Sequence, residues 1–121
     1  MKYVVMFTSR PDLDQNVEPE HAKAVYGRIY QWFQDNGEHI ADSGAELHPV
    51  TTATTVKYGE SGPVVVDGPF NEAKEIIGGF SVLEAADLDG AIAIAKTWPA
   101  LELPGVALEI RPMVEDYSQF E

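Results

Sequence analysis

The sequence predicts an α+β fold in which two β-α-β units flank an inserted β-hairpin, and three observations carry that prediction. Apolar residues fall at helical spacing in two separate stretches, Ala22 to Phe33 and Leu88 to Ala95. Short runs rich in β-branched and aromatic residues bracket each stretch. Between the two units, Gly59-Glu60-Ser61-Gly62 offers a hairpin turn with a further extended run on either side.

Tyr3 to Thr8 is β-branched and aromatic and stops at Arg10-Pro11-Asp12. Its apolar side chains occupy both alternating sets of positions, which suits a central strand. From Pro19 to Asn36 the apolar positions Ala22, Val25, Tyr26, Ile29, Tyr30 and Phe33 form a helical stripe. Pro19 fits the first turn and Gly37 the position after the last. Strands are then predicted over Ala41 to Leu47, Thr52 to Tyr58, Val64 to Val66 and Phe80 to Ala85. Asp87 caps a second helix with a stripe of Leu88, Ala91, Ile92 and Ala95 reaching toward Trp98, and Pro99 stops it. Val106, Leu108 and Ile110 alternate with Ala107, Glu109 and Arg111, the pattern of a half-buried strand. The tail from Glu115 to Glu121 is acidic with two aromatics.

This order folds as a ferredoxin-like split βαβ repeat, with both helices on one face of a four-stranded antiparallel sheet. Two helices leave the other face bare. Tyr3, Val5 and Phe7 alternate with Val4 and Met6, so both faces of the first strand are apolar and the second needs a cover. A second copy of the chain is the simplest cover, and a homodimer is expected.

Composition limits the function. At 121 residues and 45% hydrophobic, the chain is expected to form a single domain over 1–121. Its net charge of −12 and its scattered cations argue against nucleic-acid binding, because no basic stripe exists to displace counterions from phosphates. The absence of cysteine removes disulfides, thiolate catalysis and Cys-based metal sites. The three histidines, His21, His39 and His48, show no ligand spacing, so neither a metal nor a cofactor is expected. The opening run Tyr3-Val4-Val5-Met6-Phe7 is too short for a signal or membrane segment, and a cytoplasmic location is expected.

The most informative motif is Asp67-Gly68-Pro69-Phe70-Asn71-Glu72-Ala73-Lys74-Glu75-Ile76-Ile77-Gly78-Gly79. Gly68 can take a positive φ and Pro69 lacks an amide hydrogen, so the chain should leave the preceding strand sharply. The string resembles the signature of the YCII-related family, the DGPF-domain proteins. Further matching pieces are Ala53-Thr54-Thr55-Val56-Lys57, Asp87-Leu88-Asp89 with Ala91, Trp98-Pro99 and Glu109-Ile110-Arg111-Pro112. The resemblance implies the ferredoxin-like fold with sheet-to-sheet pairing as a dimeric α/β barrel. It implies no general activity. Some relatives carry a first-helix histidine proposed to pair with an Asp, and this chain departs from them, since the corresponding position falls near Gly27.

The candidate site gathers around this loop. Asp67, at a strand end, suits a general acid or base, or alternatively an acceptor that fixes the turn. His48 is the second catalytic candidate. Phe70, Lys74, Glu75 and Arg111 are candidates for substrate binding. Their alternative roles are a core plug for Phe70, a solvated ion pair for Lys74 and Glu75, and a structural salt bridge for Arg111. A turn at Gly59 to Gly62 opposes Thr54 with Asp67, and His48 then lies about 20 Å further along unless the chain bends at Pro49. The leading expectation is a pocket for an unidentified small molecule near the Asp67 loop, with cofactor-independent acid–base catalysis. The alternatives are a non-catalytic regulatory or interaction module linked to transcription (sigma-factor-associated), which the family resemblance suggests by analogy, and a cofactor-free monooxygenase or isomerase of the dimeric-barrel type.

Overall fold

The computed structural model describes residues 1–68 and 75–120. Its main sheet has four antiparallel strands, β1 (Lys2–Ser9), β2 (Ile40–Glu46), β5 (Ile76–Glu84) and β6 (Ala107–Pro112), in the order β2-β5-β1-β6. β3 (Thr54–Lys57) and β4 (Val64–Asp67) form a separate two-stranded ribbon. The split βαβ topology with an inserted hairpin is therefore present, and the turn sets the ribbon register as expected, with Thr54 opposite Asp67.

Helix α2 (Pro19–Asp35) begins at Pro19 and buries Val25 and Trp32. Ile29 and Phe33 pack partly against the same core, while Tyr26 and Tyr30 lie exposed on the flank of the stripe. Trp32, which the sequence stripe omitted, is thus a central core residue. Its indole Nε1 donates to Thr97 Oγ1 at 2.7 Å, so the one polar atom of the side chain is satisfied. Helix α3 (Leu88–Ala95) is capped as expected, with Gly90 N donating to Asp87 Oδ1 at 2.9 Å. It stops three residues before Trp98, and Pro99 opens a 3₁₀ turn, Pro99–Glu102. Trp98 is buried in the main cluster with Val5, Val25, Trp32, Leu83 and Ala100. Burying each large member of this cluster contributes about 1.5–3 kcal/mol.

Three local expectations need correction. The strand expected from Thr52 starts at Thr54, because Val50–Thr52 forms a 3₁₀ turn after Pro49. The strand expected from Phe80 starts at Ile76 and runs through Gly78-Gly79. Those glycines read as a break, yet Gly79 is needed inside the strand, since a Cβ there would sit 2.7 Å from the Ala45 carbonyl oxygen. A one-turn helix, α1 (Pro11–Asp14), also occupies the connection after β1, where none was expected.

Register separates the two sheet faces. Tyr3, Val5 and Phe7 pair with Leu83, Ser81 and Gly79 on the helix side, and Leu83 and Ser81 are fully buried there. Val4, Met6 and Thr8 pair with Val82, Phe80 and Ile77 on the opposite side, where Phe80 is 39% exposed. The second apolar face anticipated from β1 is therefore real and carries no helix.

Candidate functional site

A cavity of about 410 Å³ opens between α2 and the end of the sheet formed by the C-terminal part of β1, the N-terminal part of β5 and β2. Helix α2 contributes Tyr26, Ile29 and Phe33, whose i, i+3, i+7 spacing puts all three on one side of the helix. The inner wall is aromatic. Phe7 stacks on Trp98 with centroids 4.1 Å apart and 25° between planes, and Phe33 meets Trp98 edge-on at 5.9 Å. Trp32 backs the wall, edge-on to Trp98 at 5.0 Å. Ala100 and Val106 help close the cavity.

The strand side is shaped by an irregularity in β2. Its register against β5 shifts between Asp42 and Ala45. Gly44 takes φ +72° there, and its N–H donates to Asp42 Oδ1 at 2.7 Å. A Cβ on Gly44 would drive into the Phe80 carbonyl, so glycine is required twice over, by backbone angle and by close approach. The buried Ser81 hydroxyl donates to the Ser43 carbonyl at 2.7 Å and fastens the kink to β5. Beyond the kink, Glu46 reaches the cavity mouth, where Tyr26 Oη donates to Glu46 Oε2 at 2.8 Å. That hydrogen bond to Glu46, reinforced by its charge, raises the Tyr26 pKa and holds the phenol protonated. Glu46 is the sole charged side chain among the described residues that line the cavity.

An ion cluster secures the far side of α2. Both terminal guanidinium nitrogens of Arg28 donate to Glu102, Nη1 to Oε1 at 2.7 Å and Nη2 to Oε2 at 2.6 Å, and His21 Nε2 lies 3.1 Å from Glu102 Oε2. The Arg28 hydrogen bonds, followed by that of His21, lower the Glu102 carboxyl to about 2. Glu102 closes the 3₁₀ turn that carries Ala100, so this exposed cluster ties α2 to a cavity-lining segment.

Four of the residues singled out from sequence, Asp67, His48, Glu75 and Arg111, lie outside the cavity lining. Asp67 is exposed at the end of β4. The turn after it is held by its neighbours, with Gly68 N donating to the Ala53 carbonyl at 2.8 Å and Thr55 Oγ1 donating to the Gly68 carbonyl at 2.7 Å. Gly68 has the anticipated positive φ, +106°. His48 is exposed in the connection after β2, and among the described residues no hydrogen bond or ion pair joins it to Asp67. Glu75 is exposed within electrostatic reach of Arg10. Arg111 is exposed on the helix-free sheet face opposite Val4. Phe70 and Lys74 lie outside the described residues. Among the described residues of the motif, Gly78-Gly79 at its far end border the cavity.

Sequence reasoning missed Tyr26, Glu46 and Trp98 as site residues. Tyr26 and Trp98 were read as apolar stripe members, and Glu46 was one acidic residue among 20. The signal available was Ser43-Gly44, a left-handed kink within a predicted strand, which marks a place where a side chain is re-aimed. Among the described residues no group of three His, Asp or Glu side chains is placed to hold a metal ion.

Comparison with known proteins agrees with this architecture. The family model for the YCII-related domain matches residues 1–114. The uncharacterized protein R00369 of Rhizobium meliloti (strain 1021) is 35% identical over 69 residues, a match that spans 57% of this chain and 56% of that relative. The chain thus aligns with little more than half the length of the curated relative. Among solved structures, 5-chloro-2-hydroxyhydroquinone dehydrochlorinase of Burkholderia phenoliruptrix AC1100, in complex with 2,5-dihydroxybenzoquinone, superposes with a TM-score of 0.55 over 96% of both chains at 14% identity. At that identity the likeness is one of fold.

Proposed function

The chain belongs to the YCII-related family, and from that premise we propose that it binds a small molecule in the helix–sheet cleft and performs cofactor-independent acid–base chemistry at the cleft mouth. One observation carries the reading: a cavity of about 410 Å³, within the range of small-molecule sites, has an aromatic inner wall and the Glu46 carboxylate at its rim. Glu46 is positioned to accept a proton from a bound ligand, and Tyr26, held protonated by Glu46, is positioned to return one. The solved neighbour supports the reading by analogy of fold, since it is an enzyme complexed with a small ring compound. The protein acts as a cytoplasmic homodimer in this proposal, paired through the apolar sheet face that carries no helix. No helix among the described residues is long and apolar enough to cross a membrane.

A metabolite library screened by thermal shift tests the proposal. Ile29→Trp, which fills the cleft from α2, should abolish the hits, whereas Asp67→Asn and Arg111→Ala should keep them. Hits that survive Ile29→Trp and disappear in Asp67→Asn would move the site to the motif loop and end the cleft reading.

An interaction module is the second reading, favoured by the hairpin. Tyr58 is 86% and Val65 69% exposed, and the ribbon is not joined to the four-stranded sheet. An isolated two-stranded ribbon is marginal in water, so a covering surface would stabilise it. The two readings separate on whether Val65→Thr or Ile29→Trp removes the protein's binding activity.

A further inference from the structure

We infer that the cleft selects neutral ring compounds bearing a hydroxyl that donates a hydrogen bond, arenols and enols, and rejects the carboxylates and phosphates of the same rings. This rests on the cleft being the ligand site. The wall of Phe7, Phe33 and Trp98 gives flat apolar faces suited to a planar ring. At the rim, the one charged lining group among the described residues is the Glu46 carboxylate. Tyr26 occupies Glu46 Oε2 from one side, and a carboxylate can accept several hydrogen bonds, so Glu46 retains acceptor capacity toward the cavity.

Among the described residues that line the cavity, no cation opposes Glu46, so an anionic ligand would face its carboxylate uncompensated by any of them. The arginines on the bordering elements are both engaged: Arg28 is held bidentate by Glu102, and Arg10, next to the lining residue Ser9, binds Asp12 at 2.8 Å. Among the described residues no lysine lines the cavity. The chain's net charge of −12 adds to the repulsion. A donor hydroxyl gains a charge-assisted bond at the same rim, while an ether or a bare ring gains none. The site therefore discriminates by the sign of its hydrogen bonding as well as by charge.

Equilibrium dialysis at neutral pH with 2-naphthol, naphthalene and 2-naphthoate tests this, because the three probes share one ring system and differ at one substituent. We expect 2-naphthol to bind about tenfold or more tightly than 2-naphthoate, with naphthalene between them. Glu46→Gln keeps an acceptor and removes the charge, so it should shrink the naphthol-to-naphthoate ratio by about tenfold while leaving the melting temperature unchanged, since Glu46 is exposed. Equal binding of the three probes, abolished by Ile29→Trp, would overturn the selectivity and leave the cleft as the site. A ratio unaltered by Glu46→Gln would also overturn it. Binding by none of the probes would remove the cleft reading and this inference together.

Discussion

Replacing Gly44 with alanine should destabilise the protein severely, and the size of the effect follows from three local facts. The backbone there sits at φ +72°, which costs an L-residue about 1–2 kcal/mol. The new Cβ would meet the Phe80 carbonyl, so β2 must lift away from β5 at that point. Lifting β2 breaks the bond from the fully buried Ser81 hydroxyl to the Ser43 carbonyl, and leaving those groups unsatisfied costs about 1–3 kcal/mol. The total is about 2–5 kcal/mol, which in a chain of this length lowers the melting midpoint by roughly 8–20 °C. Gly27→Ala is the internal control. Gly27 lies within α2, its added Cβ would meet nothing within 4 Å, and its φ lies outside the left-handed range. That change should stabilise by about 0.5–1 kcal/mol through helix propensity alone. Thermal melts followed by circular dichroism measure both. A Gly44→Ala variant that melts within about 3 °C of the parent would refute the account of the β2 kink and, with it, the positioning of Glu46.

Other consequences are as direct. Thr55→Val should destabilise by about 1 kcal/mol, because it removes the donor to the Gly68 carbonyl, whereas Asp67→Ala should cost less than about 0.5 kcal/mol; chemical denaturation ranks the two. Light scattering at micromolar concentration should give a dimer mass for the parent and a monomer mass for Val82→Lys, which places a charge on the helix-free face opposite Val4; a concentration-independent monomer in the parent would contradict the pairing. Side-chain NMR should place the Glu102 midpoint at about 2, returning toward the ordinary 4.5 in Arg28→Ala. Because the folded value is the lower one, the cluster's contribution to stability is present above about 4.5 and is lost as pH falls toward 2, and its exposure keeps that contribution small.

The fold was legible because its determinants are local. Helical spacing gave α2 and α3, the Asp87 cap fixed where α3 starts, and the Gly59 to Gly62 turn alone set the pairing of Thr54 with Asp67. The failures came where long-range packing overrode a local signal. Gly78-Gly79 looks like a break until Ala45 is known to approach it, and Trp98 looks like a helix residue until Phe7 is known to stack on it.

The site was harder to read for a related reason. A motif draws attention to its charged and turn-forming residues, and in this chain those were Asp67 to Glu75, a single connection in sequence. The cleft instead draws on several elements far apart in sequence, among them Phe7 from β1, Tyr26, Ile29 and Phe33 from α2, Glu46 from β2 and Trp98 after α3. None is unusual in its own sequence neighbourhood. Only Gly44 carries a local trace, since its positive φ turns the strand so that Glu46, two residues on, meets Tyr26 across the cavity mouth. The motif and the cleft still touch, because Gly78-Gly79 ends the one and lines the other. A change in the Asp67 to Glu75 connection that shifts the start of β5 would therefore reach the cleft through backbone position.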